Sequence, residues 1–281
     1  MLYTLESEFL KISANSLGAE LWHLICKKTG AEYLWQGKAP FWPGRSPVLF
    51  PIVGRLKDGS MNIHGFAQFC EFHATAEPGK LIFTLSDSPE TRQVYPFAFL
   101  LEVIFTLEGN RLNTEYRVTN PSDTEDLIFG IGGHPGFVCP ITPETEFDDY
   151  FLEFENTDSL NTTVVSSNGL LEDRTIRIDL ENSCLPLSYD LFTKYDTIVL
   201  VDTPVKKVAL KSAKSARCIS MDFDARHFAI WTQPGAPFIC LEPWDGLPDY
   251  ESTCGDFAKK RENNILAPKT SKTFSHNITI S

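Results

Sequence analysis

Alternation with period two over residues 99–118 constrains this chain more than any other feature. Phe99, Leu101, Val103, Phe105 and Leu107 fall on one face of an extended chain, with Glu102, Thr106 and Glu108 on the other. Glu108-Gly109-Asn110 supplies a turn, after which Leu112, Thr114, Tyr116 and Val118 alternate with Arg111, Asn113, Glu115 and Arg117. A helix would scatter these apolar residues around its circumference, whereas a strand collects them on one side. The segment predicts an antiparallel hairpin with one buried face. Short apolar runs bounded by Gly, Pro, Asn and Asp predict further strands over 9–13, 19–26, 81–85, 127–130, 151–154, 197–201, 208–210, 229–232, 238–241 and 278–280. Helical spacing is confined to short turns, such as one around 256–264. The 21 Phe and 5 Trp, against 3 Met, suit half-buried pleated surfaces. The expectation is an all-β sandwich. Residues 140–149, rich in Pro and acids, read as a surface loop, and 1–281 reads as a single domain without a linker.

A formal net charge of −12 argues against nucleic acid and anionic lipid as partners, although one local pocket is free to oppose the overall field. No run approaches the ~18 apolar residues of a spanning helix. Met1-Leu2-Tyr3-Thr4-Leu5-Glu6 lacks the basic and apolar regions of a signal peptide. Seven dispersed cysteines without a Cys-x-x-Cys pair predict reduced thiols and a cytoplasmic protein. The glycosylation sequons at Asn161 and Asn277 are then accidental.

Three segments interrupt the strands. Pro47-Val48-Leu49-Phe50-Pro51-Ile52-Val53-Gly54-Arg55 leads to His64-Gly65-Phe66-Ala67. Arg55 offers a fixed fork of donors suited to vicinal hydroxyls or carboxylates, or else forms a surface ion pair. His64 is either a site residue or a satisfied structural histidine. Gly130-Ile131-Gly132-Gly133-His134-Pro135-Gly136-Phe137 sets four glycines around one histidine. That pattern predicts a sharp turn presenting an open imidazole, or simply an exposed His in a Gly-rich loop. Phe238-Ile239-Cys240-Leu241-Glu242-Pro243-Trp244-Asp245-Gly246 puts a carboxylate after an apolar strand. Period two sets Glu242 on the face of Phe238 and Cys240, where it either ends the strand in water or sits at a site that raises its pKa. Trp244 is a structural residue or a stacking platform for a pyranose ring. The chain lacks a nucleophile elbow, a phosphate loop, a dinucleotide fingerprint and a zinc spacing.

These motifs, in this order, resemble the aldose 1-epimerase (galactose mutarotase) family and its LacX-like branch. The resemblance spans residues 45–249 and implies a galactose mutarotase-like β-supersandwich with a sugar site on one sheet. By matching motif, Glu242 corresponds to the family's general base and His134 to its general acid. His64 and Arg55 correspond to residues that hold the substrate, and Asp196, in Lys194-Tyr195-Asp196-Thr197, to a substrate-binding aspartate. Relatives acting on hexose 6-phosphates carry Arg after His-Gly-Phe-Ala; Gln68 stands here, which counts against a phosphosugar unless Arg45, Lys57 or Arg92 substitutes.

The activity implied is interconversion of the α and β anomers of a hexose by ring opening, with neither cofactor nor metal. Glu242 would take the anomeric proton while protonated His134 donates to the ring oxygen. His134 and Glu242 are then expected to converge across a gap that admits the sugar. The alternatives are a non-catalytic carbohydrate-binding protein on the same fold, a hexose-6-phosphate mutarotase, and a two-carboxylate glycosidase. A monomer or a homodimer is compatible with the sequence.

Overall fold

In the computed structural model, which describes residues 1–281, the 99–118 segment forms the expected hairpin. Strands Leu100–Glu108 and Arg111–Thr119 pair in register from Leu100↔Thr119 to Glu108↔Arg111. Gly109 opens the two-residue turn at φ 59°, a backbone setting glycine adopts without a Cβ clash. Leu101, Val103, Phe105, Leu112, Tyr116 and Val118 are buried on one side, as the alternation requires.

The hairpin belongs to a nine-stranded antiparallel sheet. In spatial order its strands are Cys184–Pro186, Tyr150–Phe154, Lys207–Ser212, Ser215–Phe223, Ser271–Ile280, Arg111–Thr119, Leu100–Glu108, Lys80–Ser86 and His73–Glu77. The second large sheet runs Leu171–Asp179, Ser159–Val165, Thr197–Leu200, His227–Trp231, Phe238–Asp245, Ile131–Gly133, Val48–Leu49. Gly136–Val138 also pairs with Phe238–Asp245. Leu2–Glu6, Leu10–Asn15 and Glu20–Cys26 form a smaller sheet that packs on the hairpin end of the first, with Tyr3 edge-on to Phe83. No helix is long and apolar enough to cross a membrane.

One core of 54 buried residues draws on both large sheets. Strand parity decides which side chains enter it. Ile198 and Leu200, Phe228 and Ile230, and Ile239 and Leu241 all point into this core. Their neighbours Val199, Ala229, Phe238, Cys240 and Trp244 point the other way, into two small apolar clusters around Leu49 and Trp35. That second face carries the cleft described below.

The sequence reading departs from the structure in identifiable places. Ser159–Val165 and Leu171–Asp179 were not anticipated, because an edge pair with many exposed positions has no apolar face to reveal it. The short turn expected around 256–264 is present as a 3-10 turn, Phe257–Lys259, and ends before Asn264 begins a strand. Two short helices were missed, Pro89–Val94 and Tyr189–Tyr195. The first was legible: Ser88 caps it, Pro89 opens it, and Thr91 completes a capping box. The 140–149 segment is less superficial than its composition suggests, with Ile141, Thr145 and Phe147 buried.

Candidate active site

Glu242 stands near the centre of the second sheet. Its strand, Phe238–Asp245, is flanked by His227–Trp231, with Ala229 opposite Glu242, and on its other side by Ile131–Gly133 and Gly136–Val138. The face shared with Phe238 and Cys240 is the one parity assigned to it. The carboxylate does not end the strand in water; its side chain is only 1% exposed, and burial pushes its pKa well above the usual carboxylate value.

His134 lies at the joint between the two flanking strands. Its N–H donates to Pro47 O, and Leu241 N–H donates to Pro135 O, so the joint is tied to both neighbours. The glycines around it do not make the predicted sharp turn. Gly130, Gly132, Gly133 and Gly136 all lack a positive φ. At Gly132 and Gly133 neighbouring strands come too close for a Cβ, which would meet Trp244 Cδ1 at 2.9 Å and Tyr116 Oη at 2.6 Å respectively. The imidazole is also packed rather than openly presented. It stacks on Trp42 at 4.7 Å and meets His64 and Trp231 edge-on at 5.3 and 5.9 Å. Burial, with a smaller contribution from His64, holds its pKa well below that of a free imidazole.

The expected gap between acid and base is absent. His134 Nε2 and Glu242 Oε2 are 3.3 Å apart, close but not aligned as a hydrogen bond, and Oε2 has no hydrogen-bond partner. The two groups therefore sit side by side on the floor of a cleft of about 640 Å³. His134 Nδ1 is buried without a hydrogen-bond partner, and Nε2 is the ring nitrogen that faces Glu242.

The cleft also takes in the other residues singled out in the sequence. His64 lines it at a positive φ of 66°, and its Nδ1 accepts Gly54 N–H at 3.0 Å. That bond puts the His64 proton on Nε2, and burial lowers its pKa to about 4, so the ring is a neutral donor near pH 7. Arg55 lines the exposed rim without an ion-pair partner of its own. Asp196 lines the rim where the Tyr189–Tyr195 helix ends; it is at φ 58°, and Thr197 Oγ1 donates to its Oδ2 at 3.2 Å. Trp244 lines the wall beside Pro248.

Sequence reasoning missed Trp42 and Trp231, which wall the floor around His134. Trp231 lies inside the predicted 229–232 strand, on the parity of Ala229, but only the register Trp231↔Cys240 sets it beside the site. Nothing around Trp42 in the sequence marks it. Arg45, Lys57 and Arg92, raised as possible phosphate partners, do not line the cleft. Arg45 lies over the Trp22 ring, Lys57 Nζ donates to Glu251 O and Thr253 O, and Arg92 pairs with Asp87. Two trios have donor atoms within metal-binding reach, His134–Cys240–Glu242 and Asp202–His227–Glu262.

The aldose 1-epimerase family model matches residues 1–279. The chain is 32% identical over 300 residues to the chromosomal protein LacX of Lactococcus lactis subsp. lactis, covering 100% of this chain and 99% of that protein. A galactose mutarotase related enzyme from Lactobacillus acidophilus has a similar structure, with a TM-score of 0.92 at 31% identity over 100% of this chain and 97% of the other. A galactose mutarotase-like protein from Lactobacillus casei ATCC 334 gives 0.90 at 29% identity over the whole of both chains. The layered sheets are those of the galactose mutarotase-like fold, and the chain belongs to the aldose 1-epimerase family.

Proposed function

We propose that the protein is a hexose mutarotase in which Glu242 and His134 exchange protons with the sugar. The observation that carries this reading is the 3.3 Å approach of His134 Nε2 to Glu242 Oε2 on the cleft floor. The anomeric oxygen and the ring oxygen are bonded to the same carbon, so they need two proton-exchanging groups side by side. Glu242 takes the anomeric proton as the C1–ring oxygen bond breaks, and the bonding pair passes to the ring oxygen, which takes a proton from His134. The open aldehyde rotates about C1–C2 and recloses with the roles reversed, so one proton shared by the pair serves both halves. In the free cleft burial favours the neutral pair, with that proton on Glu242. Its transfer to His134 gives a carboxylate and an imidazolium in contact, which stabilise one another and are the forms this chemistry uses. His64 donates from Nε2, Arg55 and Asp196 hold hydroxyls at the rim, and Trp244 offers an apolar wall to the ring.

An unphosphorylated sugar suits the cleft better than a sugar phosphate. Arg55 is the one Lys or Arg among its lining residues, and Asp196 shares the same rim. Gln68 Nε2 is spent on Ile63 O and Gly65 O. Polarimetry on fresh α-glucose and α-galactose, corrected for the buffer-catalysed background, tests the proposal. Rates equal to that background for both sugars and their 6-phosphates would leave a carbohydrate-binding protein as the better reading.

A further inference from the structure

We propose that His134, Cys240 and Glu242 form a binding site for a borderline-soft divalent cation, zinc above all, and that the bound ion blocks sugar turnover. The second half rests on the function proposed above; the first does not.

Cys240 and Glu242 are two residues apart on one face of Phe238–Asp245, and His134 projects from the joint beside them. One ligand atom from each lies within 4.8 Å of the other two, and all three residues are buried. With zinc bonds of about 2.0–2.1 Å to nitrogen and oxygen, the 3.3 Å separation of Nε2 and Oε2 corresponds to roughly 107° at the metal, close to tetrahedral. Sγ, within 4.8 Å of both, completes the set by moving inward no more than about 1.3 Å, since a tetrahedral sulfur at about 2.3 Å from zinc stands roughly 3.5 Å from the other ligands. Independently, Glu242 Oε2 is a buried oxygen without a hydrogen-bond partner, 3.3 Å from His134 Nε2. A mixed imidazole, thiol and carboxylate set selects zinc or cadmium over magnesium or calcium. Three protein ligands leave a fourth position toward the cleft.

His134 Nδ1 has no acceptor behind it, whereas a resident zinc is normally held by such an outer bond, worth about 10–100-fold in affinity. The site therefore suits an exchangeable inhibitory ion rather than a permanent one. By contrast, the Asp202–His227–Glu262 trio is already engaged. His227 Nδ1 accepts Asp202 N–H, and Arg226 holds Glu262.

The test is a cadmium titration of the full chain, followed by thiolate-to-cadmium charge-transfer absorption, alongside zinc inhibition of mutarotation. One strong equivalent is expected, with zinc inhibition competitive against sugar and reversed by EDTA. Cys240→Ser should remove that band and weaken zinc inhibition at least tenfold relative to the variant's own uninhibited rate. Absence of the band in the wild type, or its persistence in Cys240→Ser at the same affinity, overturns the site. Should Cys240→Ser not fold, His134→Asn gives the same comparison: cadmium affinity at least tenfold lower supports the site, unchanged affinity overturns it. A wild type that binds cadmium through Cys240 but does not accelerate mutarotation would sink the proposed function and leave the metal site standing.

Discussion

At the scale of single residues, the proposed chemistry separates proton transfer from substrate holding. Glu242→Gln keeps the side chain's size and removes the base; His134→Asn removes the acid and keeps a polar group. Each should lower kcat by about 10²–10⁴-fold with a much smaller change in KM, measured by polarimetry above background. Arg55 lies on the rim, away from the Glu242–His134 contact, so Arg55→Ala should raise KM more than it lowers kcat. Full activity in both Glu242→Gln and His134→Asn would mean that the chemistry happens elsewhere. The side-by-side contact also explains why the sequence suggested the wrong spacing. Residue type and motif marked Glu242 and His134 as candidates for proton exchange, but no pattern along the chain encodes the distance between positions 134 and 242.

Among the elements, the strand pair around Gly132 matters most. Gly132 sits between Leu49 and Trp244 in register, where a Cβ would meet Trp244 Cδ1 at 2.9 Å and Pro243 O at 3.1 Å. Trp244 and Pro243 follow Glu242 on the same strand, so any relief of that clash moves the carboxylate. Gly132→Ala should cost about 1–3 kcal/mol in chemical denaturation and also reduce kcat. Loss of stability with unchanged kcat would show that the strand yields without disturbing the site. Parity was readable here: alternating residues of Phe238–Asp245 put Ile239 and Leu241 in the main core and Cys240 and Glu242 on the cleft face. The Gly-rich segment was legible as special but misread, because close approach and tight turning both call for glycine and only neighbours distinguish them.

Over the whole molecule, buried neutral histidines tie stability to pH. His276 and His227 are buried, and burial lowers their pKa values to about 4 and about 3. Their unfolded values lie near 6.5. Folded pKa values below the unfolded ones mean that protons bind the unfolded chain first. The contribution is therefore present above pH ~6.5 and is lost as pH falls toward 4, at up to about 1.4 kcal/mol per pH unit for each histidine. Urea melts at pH 7, 6 and 5 should show this decline, and His276→Gln should flatten it. An unchanged slope in that variant would remove His276 from the account. We also expect the shared 54-residue core to make 1–281 unfold as one domain; two separated calorimetric transitions would contradict this.

The sequence by itself determined the strand-rich character of the chain, the 99–118 hairpin and the face on which Glu242 stands. Those follow from side-chain alternation, which is local and depends only on extended backbone geometry. It also marked His64, His134, Glu242 and Trp244, because residue types and short motifs are local as well. Only the tertiary structure decided the rest. Antiparallel pairing across more than a hundred residues brought His134 against Glu242, set Cys240 beneath them and walled them with Trp42 and Trp231. Contacts of that kind depend on sheet order and register, and burial depends on what packs above. The raised pKa of Glu242 and the lowered pKa of His134 arise from that burial, a property of the assembled sheets and of neither residue alone.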